Sequence, residues 1–482
     1  MMKLSDIILK SETLYMSGDT DNTEICGIAS NIESAHAGEV LFLHSMSPEI
    51  YAKAKQKGIC AIVTGYGEYV GEEIPTVWVE NVRASLALAH LRLRGNPQRH
   101  MRFIGITGTN GKSTVCLMTA HILRKAGFRV GIIGTLFCDC GKGRLPSDYT
   151  TPPPEILASE LSEMYENGID TVVMEVSSHS LAQERIYGID FDIGVFTNLT
   201  HDHLDFHGNI GEYARAKEKL FERSRISIIN MDDKAAYRMA WAAKGDVFYY
   251  SKQHTAEFYF CDEKISGGGS SFDLGISLGS ISHTIRVGIL PLGRFNIYNA
   301  TAALSCAYLA GAPAKLLGDA LSDFPPVTGR MERIYAGDFD VIIDYAHTPD
   351  ALGKAIETLR EIYHGKIITL FGCGGDRDKT KRPEMGYEAT RLSDLVIVTS
   401  DNPRTEEPAE IIRDICTGIK RENYITEVNR EKAIALAVSA AKKGDVILLA
   451  GKGHEDYVID KDGKHDFCER ETVLKKIKEK DR

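Results

Sequence analysis

The amino-acid sequence predicts an α/β protein of three domains, on three observations. Its 482 residues amount to about three domains at roughly 150 residues each. Two long stretches alternate short β-branched runs with helical patterns, as buried parallel strands joined by helices do. The helix-breaking pair Pro325-Pro326 stands between them. The expected boundaries are 1–98 for a small N-terminal α/β domain, 99–326 for a central parallel-sheet domain and 327–482 for a second βα domain.

In the first stretch, the apolar runs 40–43, 61–63 and 77–79 read as strands, and 84–94 reads as a helix before the polar linker 95–99. The next strands are expected at 103–107, 130–133, 171–175, 193–197 and 226–229. Alternating polar and apolar residues from Ser266 to Leu290, opened by Gly267-Gly-Gly269, predict hairpins, and a helix should end near Leu321. Strands at 341–343, 366–370, 395–398 and 445–449 follow, with helices over 349–363 and 430–442. There is no internal repeat and no low-complexity tract.

With 43% hydrophobic and 26% charged residues, the chain falls outside the disordered, collagen-like and coiled-coil classes. A net charge of −10 gives no global attraction to nucleic acid or anionic lipid, so a phosphate-bearing ligand needs a local site. No apolar run suits a signal peptide or a membrane span, and a cytoplasmic location is expected. The ten cysteines are scattered, with Cys138 and Cys140 the only close pair, and reduced, mostly buried thiols are expected.

The strongest single feature is Phe103-Ile-Gly-Ile-Thr-Gly-Thr-Asn-Gly-Lys-Ser-Thr114. A strand runs into a glycine turn and then into a helix with apolar residues at Val115, Met118, Ile122 and Leu123. The strict phosphate-loop pattern needs glycine where Ile106 stands, so this is a shortened variant in which Gly108 supplies the flexibility. Backbone N–H groups of Gly108, Thr109, Asn110, Gly111 and Thr114 would surround phosphate oxygens at a helix N-terminus. Lys112 would reach the terminal phosphates and Ser113 would ligate Mg²⁺, so ATP is the expected ligand.

Three His and two Asp crowd into Thr200-His-Asp-His-Leu-Asp-Phe-His207. A zinc-hydrolase spacing fails because Phe206 stands where the last His ligand belongs. Service to a nucleotide-bound Mg²⁺, helped by Glu175 at a strand end, fits better. Glu175-Val-Ser-Ser-His179 lacks the elbow of a Ser–His hydrolase. Lys217, in Tyr213-Ala-Arg-Ala-Lys-Glu-Lys219, reads by itself as an exposed helix lysine.

These motifs occur in order with Pro291-Leu-Gly-Arg-Phe-Asn-Ile-Tyr-Asn299, Gly329-Arg-Met-Glu332 and Asp344-Tyr-Ala-His-Thr-Pro349, and together they resemble the Mur ligases of peptidoglycan synthesis over about residues 100–470. The resemblance implies a P-loop ATPase-like central domain and a Rossmann-like C-terminal domain. It is closest to the members that add the third amino acid to UDP-N-acetylmuramoyl-L-alanyl-D-glutamate. It implies ATP-dependent amide synthesis through an acyl phosphate, with Lys112, Glu175, His203 and Lys217 in the catalytic apparatus. Ser113, Glu175, His203 and Lys217 would serve Mg²⁺, Lys217 as a CO₂-derived carbamate. Asn296, Asn299, Arg330 and Asp344 would hold the nucleotide. Thr150, Thr151, Ser177, Gln183 and Arg185 would hold the muramoyl dipeptide.

The motif Asp401-Asn-Pro-Arg404 matches members that select meso-diaminopimelate over L-lysine. An arginine can bind the extra carboxylate through two hydrogen bonds. Arg377, Asp401, Asn402, Pro403, Arg404, Gly451 and Glu455 would form that amino-acid site. The first domain departs from the family pattern. Ile32 stands where a serine contacts the UDP-sugar, so uridine binding there would rest on Ser30, Asn31 or backbone, or else the acceptor is a different carboxylate. Small-molecule substrates, no nucleic acid, no membrane insertion and a monomer are the expected partnerships.

Overall fold

A computed structural model describes residues 2–68, 71 and 73–480. Packing divides it into two compact units. The first comprises Met1–Gly105, Phe128–Gly194 and Glu222–Arg225; the second comprises Ile106–Gly127, Val195–Phe221 and Ile226–Arg482.

The first unit opens with a five-stranded sheet in the order Thr13–Ser17, Thr76–Val79, Ala61–Gly65, Glu39–Leu43, Gly27–Ala29. The Thr13–Ser17 edge is antiparallel and the rest are parallel. Its helices start where the sequence places caps. Ser47 accepts from Ile50 N ahead of Pro48–Gln56, and Asn81 accepts from Ala84 N ahead of Val82–Leu93. Later in the same unit, Val130–Ile133 pairs in parallel with Thr171–Glu175 and carries the antiparallel Phe137–Asp139 and Arg144–Pro146 beside it.

The expected strands after residue 98 are found at Arg102–Thr107, Val130–Ile133, Thr171–Glu175, Phe191–Phe196 and Ser224–Asn230. In the second unit, Asp246–Ser251 pairs with residues of Ser224–Asn230, and the hairpin Gly269–Leu278/Ile281–Ile289 follows Phe258–Ser266. One expectation needs correction: the last helix before the proline pair ends at Leu317, and 318–323 are turns.

The C-terminal sheet runs in the order Glu332–Ala336, Asp340–Asp344, Val446–Ala450, Ile367–Phe371, Leu395–Thr399, Tyr424–Glu427. All but the first pairing are parallel. Alternate strand residues face opposite cores. Ile342, Val396, Val398, Val446 and Leu448 pack with Leu352, Ile356, Met385, Ile411 and Ile415. Val341, Ile343, Ile368, Leu370, Ile397 and Ile447 pack with Ile434, Ala437, Val473 and Ile477. Two covered faces make a doubly wound sheet, whose ligands lie outside the carboxyl ends of the strands. The loops leaving Asp344, Phe371, Thr399 and Ala450 are therefore the place to look.

All ten cysteines are free. Cys116, Cys138, Cys140, Cys306 and Cys373 are buried, whereas Cys26 is exposed.

Candidate active site

The phosphate loop has the backbone its glycines permit. Gly108 has φ 152° and Gly111 has φ 87°. A Cβ at Gly108 would fall 1.8 Å from Thr197 Oγ, and one at Gly111 would fall 2.5 Å from Asn299 Oδ1. Both the torsions and the space require glycine. The turn is stitched to the segment 197–200. Thr109 N donates to Asn198 O (2.8 Å), Asn110 N to Asn198 Oδ1 (2.9 Å), Thr197 Oγ to Asn110 O (2.6 Å) and Thr200 N to Thr109 Oγ (3.0 Å).

The helix Lys112–Lys125 begins immediately after this turn, which puts its N–H groups and positive dipole end at the loop. Thr114 lies buried in its first turn. Lys112 Nζ donates to Gly108 O (3.0 Å) and Thr109 O (2.9 Å). Arg330 Nη2 reaches 3.5 Å from the buried Ser113 Oγ, and its guanidinium covers the Tyr345 ring at 4.4 Å. Asp344 accepts from Met331 N (2.6 Å) and Ala346 N (2.8 Å), and burial raises its pKa. Asn299 Nδ2 donates to Asn296 Oδ1 (3.0 Å) on the helix Arg294–Leu309. Gly108, Gly111, Ser113, Asn299 and Arg330 are thus brought together.

Lys217 corrects the reading made from its local sequence, because it is buried rather than exposed. The helix Ile210–Phe221 buries Tyr213, Ala214, Ala216, Lys217, Leu220 and Phe221. Lys217 lies one turn from both Tyr213 and Phe221, on the apolar stripe. Its Nζ donates to Gly108 O (2.9 Å) and sits 4.5 Å over the Tyr213 ring. Burial, and then the charge of Lys112, push its amine pKa well below the usual lysine range, with Asp202 opposing.

Asp202 was passed over in the sequence and proves central. Its buried carboxylate lies 3.4 Å from His203 Nε2 and 3.6 Å from His347 Nε2. Burial alone would raise its pKa, but the His347 hydrogen bond and charge, with His203 and Lys381, hold it below the ordinary carboxylate range. His203 itself takes a left-handed backbone (φ 55°) to start the short helix Leu204–His207. His201 Nε2 lies 3.3 Å from Asp378 Oδ2.

In the first unit, the residues expected to hold the muramoyl dipeptide converge on Glu175. Thr135 N and Oγ donate to the buried Glu175 carboxylate (2.8 and 3.1 Å), and Thr135 Oγ lies 2.9 Å from Thr150 Oγ. Thr151 Oγ donates to Glu175 O (2.8 Å) and accepts from Ser177 N (3.0 Å). Arg185 donates to Thr151 O (2.9 Å) and Gln183 Oε1 (2.9 Å). Ser30 is exposed just after the strand Gly27–Ala29. Ile32 packs against the core around Leu41 and Ile62, and Glu33 is paired with Lys53.

The amino-acid motifs come together at the strand ends of the C-terminal sheet. Asn402 Nδ2 donates to Glu455 Oε2 (2.7 Å), and its Oδ1 accepts from Lys452 Nζ (3.1 Å) and Ile459 N (3.0 Å). The buried Asp401 lies 3.9 Å from Lys452 Nζ and 4.0 Å from Arg430 Nη1. A Cβ at Gly451 would meet Asp401 Oδ2 at 2.7 Å. Pro403 O would be 1.9 Å from a Cβ on Gly375. Arg404 donates to Gly375 O (2.8 Å); burial, and then the charge of Arg377, lower its pKa. A Cβ built on Gly374 would lie 2.9 Å from Arg404 Nη1 and 3.8 Å from Arg377 Cγ, so the two arginine side chains share one strand-end loop. Lys452 and Arg430, both buried, are further residues that the sequence reading missed.

His454, next to Glu455, is held neutral, its pKa lowered to about 4 by burial and then by the charge of Arg330. Its Nδ1 is buried without a partner among the described residues. The unfolded chain therefore binds the extra proton between about pH 6.5 and 4, and stability should fall as pH drops through that window. At the lower end the loss amounts to roughly 2–3 kcal/mol. His454→Gln should lose less between pH 7 and 4.5 in urea unfolding; an unchanged pH dependence would refute the assignment.

Family models match this chain over both halves of the site: the Mur ligase middle domain over residues 106–307 and the Mur ligase glutamate ligase domain over 329–453. It is 43% identical, over 99% of its length and 100% of the relative's, to UDP-N-acetylmuramoyl-L-alanyl-D-glutamate–2,6-diaminopimelate ligase 1 of Clostridium acetobutylicum. The chain belongs to the Mur ligase family. A Clostridium botulinum ligase named for the same reaction is 44% identical over 83% of each chain. A solved structure of a UDP-N-acetylmuramoyl-L-alanyl-D-glutamate–2,6-diaminopimelate ligase superposes with a TM-score of 0.70 at 30% identity, covering 100% of this chain and 99% of that one.

As a Mur ligase the protein is an enzyme, and its groups suit the cofactors of that chemistry. The glycine loop and helix start suit a nucleotide phosphate, and oxygen and imidazole donors such as Ser113 and His203 are of the kind that serve a nucleotide-bound Mg²⁺. Among the described residues no group of three His, Cys, Asp or Glu is arranged to hold a metal by itself. No helix among the described residues is long and apolar enough to cross a membrane.

Proposed function

We propose that this Mur ligase joins meso-2,6-diaminopimelate to UDP-N-acetylmuramoyl-L-alanyl-D-glutamate, with ATP cleaved to ADP and phosphate. The observation that carries the choice of amine is the convergence of Arg404 and Arg377 on Gly374, with Arg404 also bonded to Asn402 O and Asn402 to Glu455. One guanidinium pair suits the carboxylate that diaminopimelate has and lysine lacks, and Glu455 suits its ammonium. The functional domains follow 1–98, 99–326 and 327–482, a division supported by the limits of the two family models on either side of Pro325-Pro326.

The acceptor's glutamyl carboxylate attacks the γ-phosphorus, ADP departs, and the amino group of diaminopimelate displaces phosphate from the acyl phosphate with loss of a proton. The protein's part is to position and to neutralise charge. Gly108 to Thr114 cradle the phosphates, Lys112 turns from its loop carbonyls toward the terminal phosphate, and Arg330 approaches from the side of Ser113. Asn296, Asn299 and Asp344 hold the nucleotide; Thr150, Thr151, Ser177, Gln183 and Arg185 hold the dipeptide. Ser113, Glu175, His203 and a carbamylated Lys217 would hold Mg²⁺, which would supply charge neutralisation on the phosphates.

The carbamate forms by attack of the neutral amine on CO₂ with release of one proton. The depressed pKa and burial of Lys217 supply the neutral amine. Ser30 and neighbouring backbone serve the UDP-sugar, and the Lys53 ion pair reduces the repulsion that Glu33 would direct at a diphosphate. The enzyme acts as a cytoplasmic monomer on small molecules. Phosphate release should require ATP, the UDP-linked dipeptide and diaminopimelate together, with L-lysine supporting less than about a hundredth of that rate. Release with another carboxylate acceptor in place of the nucleotide would overturn the assignment.

A further inference from the structure

Behind the paired arginines lies a guanidinium that none of these roles uses. Arg382 lies in the first turn of the helix Lys381–Leu392, and its side chain has no exposed surface. It donates to both oxygens of Glu406 (2.9 and 3.0 Å), to Asp414 Oδ2 (2.8 Å) and to Gly374 O (3.3 Å). Glu406 in turn accepts from Asp376 N (2.7 Å), and Asp376 accepts from Thr405 Oγ (2.7 Å) and Thr405 N (3.2 Å). Gly375 N donates to Asn402 O (2.9 Å).

These bonds tie the loop carrying Arg377 to the loop carrying Arg404. Each loop also holds one residue in the left-handed region, Asp376 at φ 53° and Arg404 at φ 52°. Non-glycine residues keep such torsions only where their surroundings over-determine them. Arg404 and Arg377 crowd the same glycine, with Arg404 Nη1 2.9 Å and Arg377 Cγ 3.8 Å from where a Cβ on Gly374 would stand, and beneath them the buried fork of Arg382 bonds Gly374 O of one loop and Glu406 of the other.

We infer that Arg382, through Glu406, is a positioning residue that sets the spacing of Arg377 and Arg404 and so the recognition of the second carboxylate of the amino-acid substrate. The inference rests on the diaminopimelate reading given above. A lysine in its place would keep the charge but could not bridge two carboxylates and a carbonyl in one plane.

The test compares two nucleophiles on the wild-type enzyme, Arg382→Lys and Glu406→Gln, with ATP and the UDP-linked dipeptide present. Hydroxylamine traps the acyl phosphate as a hydroxamate and needs no carboxylate site. Both variants should keep the hydroxamate rate within about 2-fold while KM for diaminopimelate rises about 10- to 100-fold. Adding Arg382→Lys to Arg404→Ala should raise KM by less than about 2-fold more, because the two act as a unit. Equal losses with both nucleophiles in Glu406→Gln, or full additivity with Arg404→Ala, would overturn the positioning role. A wild-type enzyme that forms hydroxamate but ignores diaminopimelate would instead overturn the substrate reading.

Discussion

Replacing Lys217 with alanine should lower the rate of amide formation on the order of 10³-fold, the scale of losing one preorganised electrostatic group. Small carboxylates such as acetate or formate should restore part of that rate. The reason lies in where the chain puts the amine. It is buried and held by Gly108 O, the first residue of the phosphate loop, with Lys112 as a like-charged neighbour. An ammonium there would repel both Lys112 and a metal, whereas a carbamate would attract them.

Because the folded protein lowers the amine pKa, the unfolded chain binds more protons across the window below the ordinary lysine value. Acidification therefore both destabilises the fold and works against the neutral amine that CO₂ requires. Activity in CO₂-depleted buffer should fall and return on adding bicarbonate. An alanine variant with wild-type activity, or one indifferent to carboxylates, would remove the carbamate from the account.

The second large effect is expected from Gly108→Ala. A methyl group there would stand 1.8 Å from Thr197 Oγ on a backbone of φ 152°. Thr197 cannot withdraw freely, since its hydroxyl donates to Asn110 O and its backbone N to Thr107 O. The clash must be relieved by moving the phosphate loop. The expected cost is about 1–3 kcal/mol of stability. Displacing the loop by about an ångström should cost about 10²-fold or more in kcat. Calorimetry of nucleotide binding, with unfolding midpoints as the companion measurement, distinguishes a moved loop from a lost fold. Unaltered ATP affinity and turnover would show that the loop adapts.

Much of this was legible in the sequence, and the part that was not has a physical pattern. The strands that were read, such as Thr171–Glu175 and Leu395–Thr399, are central and wholly or largely buried, so they appear as unbroken apolar runs. Four of the strands that were missed, Thr13–Ser17, Gly27–Ala29, Glu332–Ala336 and Tyr424–Glu427, lie at sheet edges, where half-exposed residues break the run; Asp246–Ser251, paired on both sides, was missed because most of its residues are only partly buried.

The phosphate loop was legible because glycine spacing is local. Lys217 was misread by composition, although its place on the Tyr213–Phe221 stripe carried the signal. Asp202 was legible only as one member of the crowded 200–207 run, and Asn198, Arg382 and Lys452 were not legible from their local sequence. Their roles arise from partners at His347, Asn110, Glu406 and Asn402, each 24 or more residues away in the chain. Such pairings exist only once the loops at the strand ends have been assembled.

This enzyme makes one amide bond, between the glutamyl carboxylate of the UDP-linked dipeptide and meso-diaminopimelate. Mass spectrometry of the nucleotide product tests it most directly, with ATP, Mg²⁺ and either diaminopimelate or L-lysine supplied in parallel. The expected product is the acceptor heavier by one diaminopimelate residue, with little or no lysine adduct. Unchanged acceptor in the presence of diaminopimelate, or a lysine adduct formed as readily, would contradict it.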